Sequence, residues 1–108
     1  MTTKLSIALA QINPTVGDVD GNIGLVREAR AKAAADGADM VVAGELTISG
    51  YPPEDLVLKP AFLDRLEEKI TALATETGDG GPALIIGAPW RDDGKLYNAV
   101  MLLDQGEI

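Results

Sequence analysis

The sequence predicts an α/β fold on a mixed sheet, with element order β-α-β-α-β-β. Three observations predict it. Apolar runs of strand length recur at Leu5–Ile12, Met40–Gly44 and Ala83–Ala88. Between them lie two stretches with helical periodicity, the arrangement that parallel crossovers require. After the third run, Asp92-Asp93-Gly94-Lys95 signals a tight turn into another apolar stretch, which adds an antiparallel hairpin.

The elements follow in order. In Leu5–Ile12, LSIALAQI, the large residues Leu5, Ile7 and Leu9 alternate with the small Ser6, Ala8 and Ala10. That pattern suits a strand covered on both faces. Asn13-Pro14 ends it, and Gly17 and Asp18 extend the turn. Asp18 or Asp20 is placed to cap the first helix. Its apolar stripe is Ile23, Val26, Ala29 or Arg30, and Ala33, and residues Arg27 to Asp36 are rich in strong helix formers. Gly37 is the natural stop.

Met40–Gly44, MVVAG, is the second strand, and Glu45 sits at its C-terminal end. Gly50, Pro52 and Pro53 prevent regular helix across Leu46–Pro53, and a short helical turn is expected over Glu54–Leu58. Pro60 fits the first turn of a second helix. Leu63, Leu66, Ile70 and Leu73 line one side of it, with Asp64, Glu67, Glu68 and Lys69 on the other. Gly78, Gly80, Gly81 and Pro82 end it. Ala83–Ala88 and Leu96–Leu103 are the third and fourth strands. Asp104-Gln105-Gly106 is a further turn, and the stop at Ile108 reads as a cut inside a longer domain.

Composition narrows the function. Hydrophobic residues make up 46% of the chain, enough for a core, and only four aromatics contribute: Tyr51, Phe62, Trp90 and Tyr97. Leu, Ile, Val and Ala must therefore build it. The net charge is −8, with acids spread along the chain. Nucleic acid and anionic membrane surfaces need clustered cations and are excluded as partners. No apolar stretch approaches membrane-spanning length. The N-terminal MTTKLSIALAQ lacks the longer apolar core and cleavage site of a secretory signal, so a cytoplasmic protein is expected. The chain has no Cys and no His. Disulfides, a Cys/His metal site, and thiol or imidazole catalysis are excluded within these residues, and neither a metal site nor a cofactor site is expected here.

Glu45 is the first candidate for chemistry. Ligand sites in α/β sheets gather at the carboxyl ends of strands, and a carboxylate buried there becomes a usable general base. The competing role is a helix cap or a loop salt bridge. Tyr51, in the same loop, either walls a substrate pocket or plugs the loop onto the core. Asp18-x-Asp20-x-Asn22 opens like a calcium loop, but Ile23 stands where Gly is required and Ala29 where the bidentate Glu belongs, so capping explains these acids better. Gly78-x-Gly80-Gly81 runs from helix into strand, the reverse of a phosphate cradle. Trp90, Arg91, Asp92 and Asp93 are expected to form a polar turn, serving either as a partner surface or as cover for the sheet end.

Three segments carry a family resemblance. AQINPTVGDVDGN (Ala10 to Asn22), GADMVVAGELTISGYPPEDLVLKPAFL (Gly37 to Leu63) and GAPWRDDGKLYNAVMLLDQGEI (Gly87 to Ile108) resemble the N-terminal glutaminase domain of bacterial glutamine-dependent NAD synthetases. A strand ending in Glu, then Leu and Gly-Tyr, is similar to much of the nitrilase superfamily. The continuation Tyr51-Pro52-Pro53-Glu54-Asp55-Leu56 is narrower and resembles the synthetases. That family usually has Pro before the glutamate, whereas this chain has Gly44.

The resemblance implies that residues 1–108 are the N-terminal portion of a carbon-nitrogen hydrolase domain, part of an αββα sandwich. It implies a Glu-Lys-Cys triad with Glu45 as general base. The Lys and Cys are expected beyond Ile108, and neither Lys59 nor Lys95 is assigned to the triad. It implies glutamine as substrate, with ammonia passed to a synthetase domain outside this chain. There ATP, with Mg, activates deamido-NAD. Assembly into a homo-oligomer is implied as well. Two alternatives stay open: a free-standing amidase or carbamoyl hydrolase of the same superfamily, and a non-catalytic truncated subunit.

Overall fold

The computed structural model describes residues 4–108; Met1, Thr2 and Thr3, part of the segment read for a secretory signal, lie outside them. The strands β1 (Ile7–Leu9), β2 (Met40–Val42), β3 (Ala83–Asp92) and β4 (Lys95–Leu103) form a single four-stranded sheet in that order. β1, β2 and β3 run parallel, and β4 pairs antiparallel with β3. Helix α1 (Val19–Ala35) connects β1 to β2, and α2 (Pro60–Glu76) precedes β3. Glu54–Leu58 forms the expected short turn as 3-10 helix, and a second such turn spans Thr77–Asp79.

The helices begin and end where local chemistry dictates. Asp18 caps α1, its Oδ1 accepting from Gly21 N at 3.0 Å. Pro60 occupies the first turn of α2. The stripe of Leu63, Leu66, Ile70 and Leu73 is buried, as its spacing predicts. Asp20, far from any calcium loop, pairs with Arg65 and with Lys69 and so ties α1 to α2.

Two strands are shorter than predicted. β1 spans only Ile7–Leu9 and β2 only Met40–Val42. Alternation in sequence marks a tendency, but a strand extends only as far as a partner runs beside it. Single bonds from Ala10 N to Val42 O (2.8 Å) and from Ala43 N to Ile85 O (2.9 Å) continue each ladder by one step. β3 is longer than predicted because β4 pairs with it to Asp92. Trp90, Arg91 and Asp92 therefore lie in the strand and not in a turn; the hairpin turns at Asp93-Gly94. Trp90 packs half-buried against the core, and Arg91 is held by Asp64 and Glu67 of α2.

Both helices cover the same sheet face. Val41, Leu84, Ile86, Ala88, Met101 and Leu103 meet Val26, Leu66, Ile70 and Leu73 there. Each fully buried Leu or Ile contributes about 2 kcal/mol relative to its exposed state. The pairing register puts Ile7, Leu9, Val100 and Leu102 on the opposite face, where Leu9 is 79% and Val100 74% exposed. The coverage on both faces predicted for β1 is therefore not provided by the described residues. One layer of helices and one sheet make a two-layer unit with a bare apolar face.

Candidate functional site

The site forms where the chain leaves β2. Ala43 is still bonded to β3, and the next residues cross over that strand at Gly87. A Cβ at position 87 would lie 2.6 Å from Leu46 N and 2.7 Å from Gly44 O, so only glycine permits the crossing. Ile48 N then donates to Gly87 O at 3.2 Å. The crossing segment is held from within. Thr47 Oγ1 donates to Gly44 O, and Ser49 Oγ to Leu46 O at 3.2 Å. Leu46 adopts φ +49°, a conformation that L-residues rarely take and that closes this tight coil. Gly44 itself has room around it, with only Thr47 Oγ1 at 3.6 Å from a notional Cβ. The hydroxyl bond therefore restrains the residue before Glu45.

A second loop buttresses the first. Asn22, on α1, is 1% exposed. Its Oδ1 accepts from Thr15 N at 2.8 Å, and its Nδ2 donates to Thr15 O at 2.8 Å and to Ile48 O at 3.0 Å. Gly17 N donates to Ser49 O at 2.9 Å. Gly50, at φ +80°, lies against Val16, and a Cβ there would meet Val16 Cα at 2.6 Å. The loops after β1 and after β2 thus interlock, and Leu46, Thr47, Ile48, Ser49 and Gly50 are all buried.

On this base stands Glu45. It is exposed, and its Oε2 accepts from Asn98 Nδ2 of β4 at 2.7 Å. It is neither a helix cap nor, among the described residues, a member of a salt bridge. The dry surroundings expected of a general base are not supplied by these residues. Glu45 borders two open clefts. One, of about 340 Å³, is lined by Gly44, Gly87, Asn98 and Val100. The other, of about 360 Å³, is lined by Gln11, Asn13, Pro14, Thr47 and Tyr51. Tyr51 is 63% exposed on the wall of this second cleft and does not plug the core.

The remaining charged groups serve the scaffold. Arg30 donates to Asp79 (2.7 and 3.0 Å) and to Pro82 O (2.8 Å), tying α1 to the Gly-rich connection before β3. Hydrogen bonding from Arg30 holds the Asp79 carboxyl well below the usual carboxylate range. Hydrogen bonding from Arg27 likewise lowers the Glu76 carboxyl. Among the described residues no group of His, Cys, Asp or Glu could hold a metal ion. Likewise, no helix among them is long and apolar enough to cross a membrane.

Three residues of the site escape pattern reasoning: Asn22, Gly87 and Asn98. Signals for the last two exist. A glycine inside an apolar strand marks a close backbone approach, and an amide in the middle of a strand lacks β propensity. Asn22 sits on a helix face where spacing suggests only capping chemistry.

Residues 6–108 match the model of the carbon-nitrogen hydrolase family. The chain belongs to that family. Over all 108 residues it is 44% identical to the glutamine-dependent NAD(+) synthetase of Rhodobacter capsulatus, and it spans 19% of that protein's length. The solved glutamine-dependent NAD+ synthetase from Acinetobacter baumannii, in complex with ADP, superimposes with a TM-score of 0.87 at 30% identity. The match covers 96% of this chain and 19% of that one. An amidase from Nesterenkonia sp. superimposes with a TM-score of 0.78 at 25% identity, over 95% of this chain and 40% of that one. The mixed α/β fold of this family member is the one these neighbours share.

Proposed function

We propose that this family member is the N-terminal part of the glutaminase domain of a glutamine-dependent NAD synthetase, with Glu45 as its general base. One observation carries the proposal: identity to a protein of that name runs along the whole chain. The position of Glu45 supports it, since a carboxylate at a strand end beside an open cleft can reach a bound amide.

The chemistry follows from the groups. A neutral thiol is a poor nucleophile, and a carboxylate can take its proton. Glu45 accepts that proton from a cysteine outside these residues as the sulfur attacks the carboxamide carbon of glutamine. A lysine, also outside them, stabilises the oxyanion. When the tetrahedral intermediate collapses, Glu45 returns the proton and ammonia leaves. Glu45 then takes a proton from water, which cleaves the thioester and frees glutamate. Tyr51 walls the glutamine pocket. ATP and deamido-NAD bind in a separate synthetase domain, and a homo-oligomer is the expected assembly.

The likeness to the Nesterenkonia amidase favours a second reading, in which the same glutamate serves a free-standing amidase. The two are separated by assaying the intact protein for glutamine-driven synthesis of NAD from deamido-NAD and ATP. Its absence, with amide hydrolysis retained, selects the amidase.

A further inference from the structure

The geometry points to Asn98 as a positioning residue for the Glu45 carboxylate, an inference that rests on the proposed role of Glu45. Asn98 lies on β4 opposite Pro89, on the sheet face that carries no helix. The other β4 side chains on that face, Leu96, Val100 and Leu102, are apolar, so an amide is out of keeping there. What it does make is one bond, Nδ2 to Glu45 Oε2 at 2.7 Å, across 53 residues of sequence. Both side chains line the same cleft as Gly87, the residue whose lack of a side chain lets Glu45 reach this edge of the sheet.

The choice of an amide has chemical consequences. A primary amide donates at every pH at which proteins fold and never competes for the proton. A lysine or arginine in its place would favour the charged carboxylate and weaken the base. By engaging Oε2, Asn98 stops the carboxylate from rotating and leaves Oε1 to receive the proton of the nucleophile. Rotational freedom at a base is costly, because proton transfer requires the acceptor within hydrogen-bond reach of a fixed donor. Glu45 is thus aimed from two sides, its backbone by the crossing over Gly87 and its head by Asn98.

The test uses the intact glutamine-hydrolysing protein with Asn98→Ala, Asn98→Asp and Glu45→Gln, reading kcat, KM and the pH profile of glutamine hydrolysis. Asn98→Ala is expected to lower kcat by about 10- to 100-fold with KM for glutamine little changed. Asn98→Asp sets two carboxyls side by side, which share one proton. That proton restores a donor to Glu45, so activity is confined to the window in which the pair holds it. A descending limb at higher pH that the unsubstituted protein lacks is expected, and a merely structural residue would produce none. Wild-type kcat in Asn98→Ala, or an unchanged profile in Asn98→Asp, overturns the assignment. If Asn98→Ala also lowers ammonia-driven synthesis, the fold has been disturbed, and the nearly isosteric Asn98→Asp decides by its profile. Full activity in Glu45→Gln defeats the role of Glu45 itself, an outcome distinct from failure of Asn98 alone.

Discussion

Gly87 lies directly beneath Leu46: a side-chain carbon on Gly87 would stand 2.6 Å from the Leu46 backbone nitrogen. The obstacle is backbone on both sides, so neither a rotamer change nor a small tilt relieves it. Gly87→Ala should destabilise the protein by about 1–3 kcal/mol, the usual cost of overpacking, and displace Glu45 along with the crossing segment. Chemical denaturation and glutamine hydrolysis should both report the loss. An unaltered unfolding midpoint would mean that the segment does not cross at Gly87.

Asn22→Leu keeps approximate volume but removes all three bonds that join α1 to the two loops. Thr15 N, Thr15 O and Ile48 O are left without that partner. Each unsatisfied buried group costs about 1–3 kcal/mol, and relaxation toward water offsets part of the sum. A marked drop in unfolding midpoint is expected, with faster amide exchange at Ile48 and Ser49. Retention of native exchange protection there would show that the clamp is dispensable.

Acid should loosen the contact between α1 and the end of α2. Glu76 and Asp79 are held below the ordinary carboxylate range by hydrogen bonds from Arg27 and Arg30. For a group whose folded pKa is depressed, stabilisation is present above the unfolded value, about 4, and is lost as pH falls through the folded value. Both groups are largely exposed, so solvent screening keeps the effect modest. The urea midpoint should hold above about pH 5 and decline below about pH 4. Replacing Arg27 and Arg30 with Met should flatten that decline, and an equally steep acid limb in the double variant would refute the linkage.

The 108-residue chain alone carries no thiol and should release no ammonia from glutamine above the uncatalysed rate. Enzymatic turnover by the purified chain would contradict the mechanism outright. In the intact protein, Glu45→Ala should abolish NAD synthesis driven by glutamine and spare synthesis driven by added ammonia. Equal loss of both would count against a role confined to glutamine hydrolysis.

Much of the architecture was legible in the sequence because its causes are local. Helical spacing in α2, the Asp18 cap, the stop after α1 and the Asp93-Gly94 hairpin each follow from residues within a few positions of one another. The location of Glu45 at the end of an apolar run was equally plain. Sequence and structure part where the length of a strand depends on its partner. β1 and β2 pair over only three residues before their chains turn away, and β3 runs on because β4 lies beside it to Asp92. Trp90 and Arg91 belong to strand and not to turn for the same reason.

By itself the sequence determined the α/β class, the element order, the apolar faces of the helices and the carboxylate of Glu45 at the end of the second apolar run. Tertiary structure decided what surrounds that carboxylate. Asn98 meets Glu45 across 53 residues, and Gly87 clears the path of a segment that precedes it by some forty positions. Periodicity and capping act within a turn or two of chain, whereas these contacts exist only once β3 has paired on both sides and carried β4 to the edge where Glu45 emerges.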